Sequence, residues 1–194
     1  MSGVTQQTKY CICCDEEVPY NKIAREGKVE LTCIYCGFVL DVTVEEEFPM
    51  VECIITADDA QLTRELLKGM LLKRKLTKTV ISVENGQEFV SAFTKRLAEN
   101  QSIDLVILDL EMPMMDGITA ARVMRSVEEK YQSVRIPILF FSAQKCDETL
   151  KRQLDLFIPA SYVNTGSDTD PVHLVERVDQ LVTYLLHQRK PART

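Results

Sequence analysis

The sequence predicts an α/β protein in which five parallel strands, covered by helices on both faces, follow a small cysteine-rich module. Three observations carry this expectation. From residue 50 onward, an apolar run, a polar turn and an amphipathic stretch recur five times. The strand-like runs are nearly continuous in apolar character, as expected of strands buried on both faces. Five of the seven cysteines (Cys11, Cys13, Cys14, Cys33 and Cys36) lie before residue 37. The two parts divide at "VEEEFPM", where a charge run meets a proline. The module then spans residues 1–47 and the α/β domain residues 48–194.

Each repeat has its own signature. "MVECIITADD" reads as the first strand, followed by a helix with Leu62, Leu66 and Met70 on one stripe and Leu67 and Leu71 beside it. "KTVISVENG" is the second strand, ending in an Asn-Gly turn, and "GQEFVSAFTKRLAEN" the second helix. "IDLVILD" and "GITAARVMRSVEEKYQ" form the third pair, "IPILFFSA" and "DETLKRQLDLF" the fourth. "ASYVN" is a short fifth strand. The last helix, "DPVHLVERVDQLVTYLLHQRK", points Leu174, Val178, Leu181 and Leu185 inward, with Asp170 and Pro171 suited to its N-cap and first position.

The 194 residues, 45% apolar and 27% charged, fit a globular domain with an appendage. No apolar segment approaches bilayer-spanning length, and "MSGVTQQTKY" lacks a signal-peptide core, so a cytoplasmic protein is expected. A reducing compartment favours metal-bound or free thiols over disulfides. Residues 1–47 hold four basic and nine acidic side chains, which accounts for −5 of the net −6. Such a module repels a phosphate backbone, and nucleic acid is not an expected partner.

The chemistry is expected around "IDLVILDLEMPMMDG", where an apolar strand stops at Asp109. A buried carboxylate costs free energy unless a partner or cation compensates it. With strand order 2-1-3-4-5, the ligand crevice lies beyond the carboxyl ends of the first and third strands. Asp58 and Asp59 end the first, Asp109 the third. Three crowded carboxylates raise at least one pKa or recruit a cation, and Mg²⁺ is the natural hard ion. A carboxylate beside such an ion can act as nucleophile toward a phosphoryl group. Ser142 and the backbone N–H of Ala143, at the end of the fourth strand, are placed to hold its oxygens.

"DLEMPMMDG" resembles the D-x-x-M-P-x-M-D-G signature of response-regulator receiver domains. "DD", "ENGQEF", "SA" and the tyrosine of "ASYVN" follow in the family's order over about residues 50–190. The resemblance implies a flavodoxin-like fold and phosphorylation of Asp109 by a histidine kinase, a phosphotransfer protein or a small phosphodonor. It also implies Mg²⁺ on Asp59, on Asp58 through water, on Asp109 and on the Glu111 carbonyl. Ser142 and Tyr162 would be the switch pair, and Glu111 and Gln144 would tune dephosphorylation. The expected output runs through protein contacts of the module or the receiver surface to a downstream protein, with a homodimer left open. One departure matters. The family's lysine after the fifth strand is replaced here, in "SYVNTGS", by Thr165 and Gly166. A charged hydrogen bond of that kind contributes roughly 1.5–3 kcal/mol. Lys145, in the loop after the fourth strand, is one substitute cation.

In the module, Cys11 and Cys14 pair across eighteen residues with Cys33 and Cys36, the C-x2-C spacing of a tetrahedral zinc ribbon. Cys13 is an alternative ligand to Cys14, and iron an alternative metal. So short a piece buries too little apolar surface to fold alone, so metal binding would supply most of its folding free energy. Cys53 and Cys146 read as ordinary thiols.

Two other functions compete. A pseudo-receiver would keep the fold as an interaction scaffold without phosphorylation, as the missing lysine allows. A phosphohydrolase with an aspartate nucleophile would want a second aspartate where Glu111 stands. The leading expectation is a non-enzymatic phosphoacceptor.

Overall fold

The computed structural model describes residues 8–25, 28–40, 50–143, 146–165 and 171–188. Three antiparallel strands come first: β1 (Thr8–Cys11), β2 (Glu16–Arg25) and β3 (Lys28–Cys33), in the order β1-β2-β3. They set the two cysteine pairs in facing turns, one after β1 and one after β3. The division near residue 47 falls outside the described residues.

The alternating elements follow as expected: β4 (Val51–Ala57), α1 (Gln61–Lys73), β5 (Thr77–Val83), α2 (Gly86–Ala98), β6 (Leu105–Asp109), α3 (Gly117–Lys130), β7 (Ile138–Ser142), α4 (Glu148–Leu154), β8 (Ala160–Asn164) and α5 (Pro171–Gln188). The five strands from β4 onward form one parallel sheet of order β5-β4-β6-β7-β8, the order the sequence predicts. Alternate residues of each strand go to opposite cores, which explains the continuous apolar runs. Ile54, Leu105, Ile107, Leu139 and Phe141 pack with α1 and α5. Ile55, Val106, Leu108, Ile138 and Phe140 pack with α2, α3 and α4.

Helix starts follow local chemistry. Asn85 caps α2 by accepting from the Glu88 N–H, while the Glu88 carboxylate reaches back to the Glu84 N–H. The Asn-Gly turn that ends β5 therefore also caps α2. Asp116 caps α3 and Asp147 caps α4 in the same way. One expected inward residue does not turn in. Leu62 is 80% exposed, because it lies in the first turn of α1, beyond the sheet, whereas Leu67, Met70 and Leu71 are buried. In α5, Val178, Leu181 and Leu185 are buried as expected, whereas the side chain of Leu174 and the residue Asp170 lie outside the description.

Among the described residues, no helix is long and apolar enough to cross a membrane.

Candidate functional site: an acidic pocket and a four-cysteine cluster

β4 and β6 are neighbours, and both run out at the same edge of the sheet. Asp58 and Asp59 follow β4 directly, and Asp109 ends β6, so the three carboxylates meet there. Their ligand oxygens all lie within 4.8 Å of one another. Asp58 is buried, Asp109 half-buried and Asp59 exposed, which leaves the pocket open on one side. The Asp109 carboxylate accepts from the Glu111 N–H at 3.2 Å, and Asp58 from the Ala60 N–H at 2.8 Å.

The loop after Asp109 has no room for a side chain at residue 117. A Cβ on Gly117 would lie 2.1 Å from the Asp109 carbonyl oxygen, which accounts for the glycine of "MDG". Gly86 is similarly pressed against Met115, tying α2 to the same loop. These two close approaches fix the backbone that carries Asp109.

Burial, reinforced by the other acidic side chains, pushes Asp58 and Asp109 each up to about 6, against the hydrogen bonds each accepts. A raised carboxyl pKa favours the protonated form in the folded protein. The metal-free protein therefore loses stability as pH rises from the ordinary carboxyl range through about 6. A cation must displace those protons. Mg²⁺ affinity is accordingly expected to fall by about tenfold per titrating group between pH 7 and pH 5. Calorimetric Mg²⁺ titrations at both pH values check this. A flat profile would mean that the three carboxylates do not form the binding site.

On the next strand, β7, Phe141 pairs with Asp109, so Ser142 stands one step beyond that carboxylate. Ser142 is buried and Ala143 exposed. β8 pairs Asn164 with Ser142, which fixes the register of "ASYVN". Tyr162 is buried, and its hydroxyl donates to the Ser142 carbonyl at 3.4 Å. The Thr165 N–H donates to that same carbonyl at 2.8 Å. Gln144, Lys145 and Gly166 lie outside the described residues.

Sequence reasoning missed a cation beside the pocket. Arg64, on the first turn of α1, donates to the carbonyls of Asp58 and Asp59 at 2.9 and 2.8 Å and pairs with Glu84. It fixes the turn that carries the acid pair. Its only signal in the sequence is a basic residue one helical turn after an acid pair, which is too common to single out.

The second cluster is made of sulphur. The Sγ atoms of Cys11, Cys14, Cys33 and Cys36 lie within 4.8 Å of one another. Cys11 and Cys36 are 3.5 Å apart, Cys14 and Cys33 3.8 Å. A tetrahedron with Zn–S bonds of about 2.3 Å has edges of about 3.8 Å, so the cluster fits that ion. The N–H groups of Tyr35 and Cys36 both point at the Cys33 sulphur, at 3.3 and 3.4 Å, as donors to a thiolate. Without a cation, four such thiols cannot all ionise. Cys14 and Cys36 are pushed up, chiefly through their contact with Cys11, while Cys11 is pulled down by hydrogen bonds from Cys13 and its other neighbours. Cys13 is buried outside this set, and burial pushes its thiol up.

An open parallel α/β sheet with an acid triad at its carboxyl edge and a hydroxyl one strand away is the architecture of a phosphoacceptor signalling domain. The family model described as "Response regulator receiver domain" matches residues 54–158, and the chain belongs to that family. Such domains bind Mg²⁺ and work with histidine kinases or phosphotransfer proteins in signalling. The chain is 28% identical over 130 residues to the histidine kinase CKI1 of Arabidopsis thaliana, covering 60% of this chain and 11% of that one. It is 34% identical over 79 residues to the chemotaxis protein CheY of Bacillus subtilis, 41% of this chain and 61% of that one. The chain thus spans less than two thirds of either relative. The solved receiver domain of CKI1 complexed with Mg²⁺ superposes with a TM-score of 0.57 at 20% identity, over 71% of this chain and 94% of that one.

Proposed function

We propose that this protein is a response regulator that accepts a phosphoryl group on Asp109 in a Mg²⁺-dependent reaction and signals through protein contacts. The observation that carries the reading is the convergence of Asp58, Asp59 and Asp109 within 4.8 Å at the end of adjacent strands. An Asp109 oxygen attacks the phosphorus of a phosphohistidine or an acyl phosphate. The new O–P bond forms as the bond to the imidazole nitrogen or the carboxylate oxygen breaks, and the donor leaves with that electron pair. The Glu111 N–H holds the attacking carboxylate in one rotation.

Asp59, Asp109, the Glu111 carbonyl and, through water, Asp58 would hold Mg²⁺, which when bound offsets charge on the transferring group. The Ser142 hydroxyl and the Ala143 N–H receive the phosphoryl oxygens. Tyr162 responds as the second member of the switch pair, because its hydroxyl hangs on the Ser142 carbonyl. Glu111 and Gln144 occupy the positions that govern hydrolysis of the acyl phosphate. Thr165, in place of the family's lysine, offers no charge, so a slower transfer than in lysine-bearing relatives follows. The donor is a histidine kinase or phosphotransfer protein, and the receiver of the signal is another protein. Cys11, Cys14, Cys33 and Cys36 would hold a structural zinc ion.

The test is incubation with Mg²⁺ and acetyl phosphate, or with beryllofluoride, read by intact mass and by tyrosine fluorescence. The wild type is expected to gain one phosphoryl group, and Asp109→Asn none. A gain that survives Asp109→Asn would move the acceptor elsewhere. Thr165 also favours a second reading, a pseudo-receiver that binds partners without phosphorylation. Its sign would be partner binding that is the same for wild type, Asp109→Asn and Asp109→Glu, with no mass gain.

A further inference from the structure

The cysteine module is fastened to the receiver through the insides of its two C-x2-C loops. Ile12 and Cys13 lie between Cys11 and Cys14, and Ile34 lies between Cys33 and Cys36. The Cys13 carbonyl accepts from the Asn164 N–H at 2.6 Å, at the open edge of β8. The Ile12 carbonyl accepts from the Arg177 Nε, and the Ile34 carbonyl from the Lys151 Nζ at 2.7 Å. Arg177 also donates to the Asn164 carbonyl and pairs with Asp15 at 3.2 Å. It is 1% exposed, the largest of the fully buried side chains among the described residues. The module's Phe38 stacks edge-on against Tyr184 of α5, with ring centroids 5.2 Å apart. The sulphurs therefore set the shape of the very loops that grip the receiver.

The Cys11–Cys14 loop, through Cys13 and Arg177, grips the end of β8. Asn164 lies two residues after Tyr162 and directly before Thr165. On its other side β8 is held by Ser142, whose carbonyl takes both the Thr165 N–H and the Tyr162 hydroxyl. Ser142 in turn stands one register step from Asp109. A continuous run of hydrogen-bonded backbone thus joins the Cys11–Cys14 loop, the end of β8, the end of β7 and the acid pocket.

We infer that metal in the four-cysteine site and the phosphoryl state of Asp109 are thermodynamically linked through the end of β8, which makes the module a metal-dependent input to the receiver. The inference rests on reading the sulphur cluster as a zinc site and Asp109 as the acceptor. A shift of Ser142 toward a phosphoryl group moves the carbonyl that holds Thr165 and Tyr162. That displacement is carried to Asn164 and Arg177, the two groups that brace the metal loop. Linkage is reciprocal, so whatever factor the phosphoryl group imposes on metal affinity, the metal imposes on the phosphoryl mimic.

The experiment uses the full chain. Zinc affinity is measured by competition with a chromophoric chelator, with Mg²⁺ alone and with Mg²⁺ plus beryllofluoride. The two affinities are expected to differ by about threefold or more, and zinc-stripped protein should show the same factor in beryllofluoride affinity. A smaller difference overturns the inference while leaving the zinc and acceptor readings in place. No zinc at all, or no beryllofluoride binding with Mg²⁺, overturns those readings and the inference with them. In Arg177→Lys, and in the milder Asp15→Asn, the difference should shrink while zinc stoichiometry stays at about one. A difference undiminished in both variants overturns the route through β8.

Discussion

If Cys11, Cys14, Cys33 and Cys36 hold zinc as proposed, replacing Cys33 and Cys36 together by serine is expected to release it, unfold the N-terminal module and loosen the end of the receiver sheet. Two thiolates cannot hold a tetrahedral ion that needs four, and apparent binding free energies for such structural sites are on the order of 10 kcal/mol or more. The module has little else to hold it. Its described apolar core is Val18, Phe38, Val39 and the buried cysteines. Part of that core is shared, because Cys11, Cys13, Cys14, Val18 and Phe38 pack in one cluster with Val163, Val178 and Leu181 of the receiver. Unfolding the module therefore strips cover from β8 and α5 as well. Elemental analysis should fall from about one zinc per chain to none. Limited proteolysis should cut within the first forty residues, and the melting temperature of what remains should drop. Retained metal together with unchanged protease resistance would show that the sulphurs are packed thiols and nothing more.

Glu128→Ala is expected to destabilise the receiver by about 3–5 kcal/mol, because it leaves a buried guanidinium without its counter-ion. Arg125 and Glu128 face each other at 2.8 Å with side chains 7% and 2% exposed. Arg125 also donates to the carbonyls of Ile136 and Phe157, and Glu128 accepts from the Ile136 N–H. The pair stitches α3 to the start of β7 and to the turn before β8. Burial pushes Glu128 up and Arg125 down, each shift opposed by the other's charge. Removing either charge leaves the desolvation cost without its compensation. Arg152 and Glu148, on the surface of α4, make the opposite case, since their side chains are 81% and 85% exposed. Arg152→Ala should change stability by no more than about 0.5 kcal/mol. Urea unfolding of both variants separates the two cases. Equal effects would mean that burial does not govern the strength of ion pairs in this domain.

Much of the acid pocket was legible because its parts are tied to strand ends. An apolar run halting at Asp109, an acid pair after another such run, and the glycine two steps past Met115 are local signals, and order along the chain fixes their meeting place. The C-x2-C pairs were legible for the same reason, since ligand spacing within each loop is a property of the chain. Arg64 and Arg177 were not. A lone arginine on a helix reads as a solvated charge, even though Arg177 lies four residues before Leu181, at the spacing of the apolar stripe of α5. That interruption is the one hint of its burial. Leu62 misled in the opposite direction, being apolar and in phase yet placed beyond the sheet it was expected to cover.

The chain itself determined the period of each element, the order of the strands, and which carboxylates and thiols stand at element ends, because these follow from backbone preference and local spacing. Only the tertiary structure decided that the Cys11–Cys14 loop binds the end of β8 and the Cys33–Cys36 loop Lys151 of α4, that Arg177 is buried against the first loop, and that the Tyr162 hydroxyl and the Thr165 N–H share the Ser142 carbonyl. The contacts of the cysteine loops join residues more than a hundred positions apart, and those on the Ser142 carbonyl residues twenty or more apart. Which of several exposed edges and buried cations find each other is settled by shape and by the need to satisfy every buried donor and acceptor, not by sequence pattern.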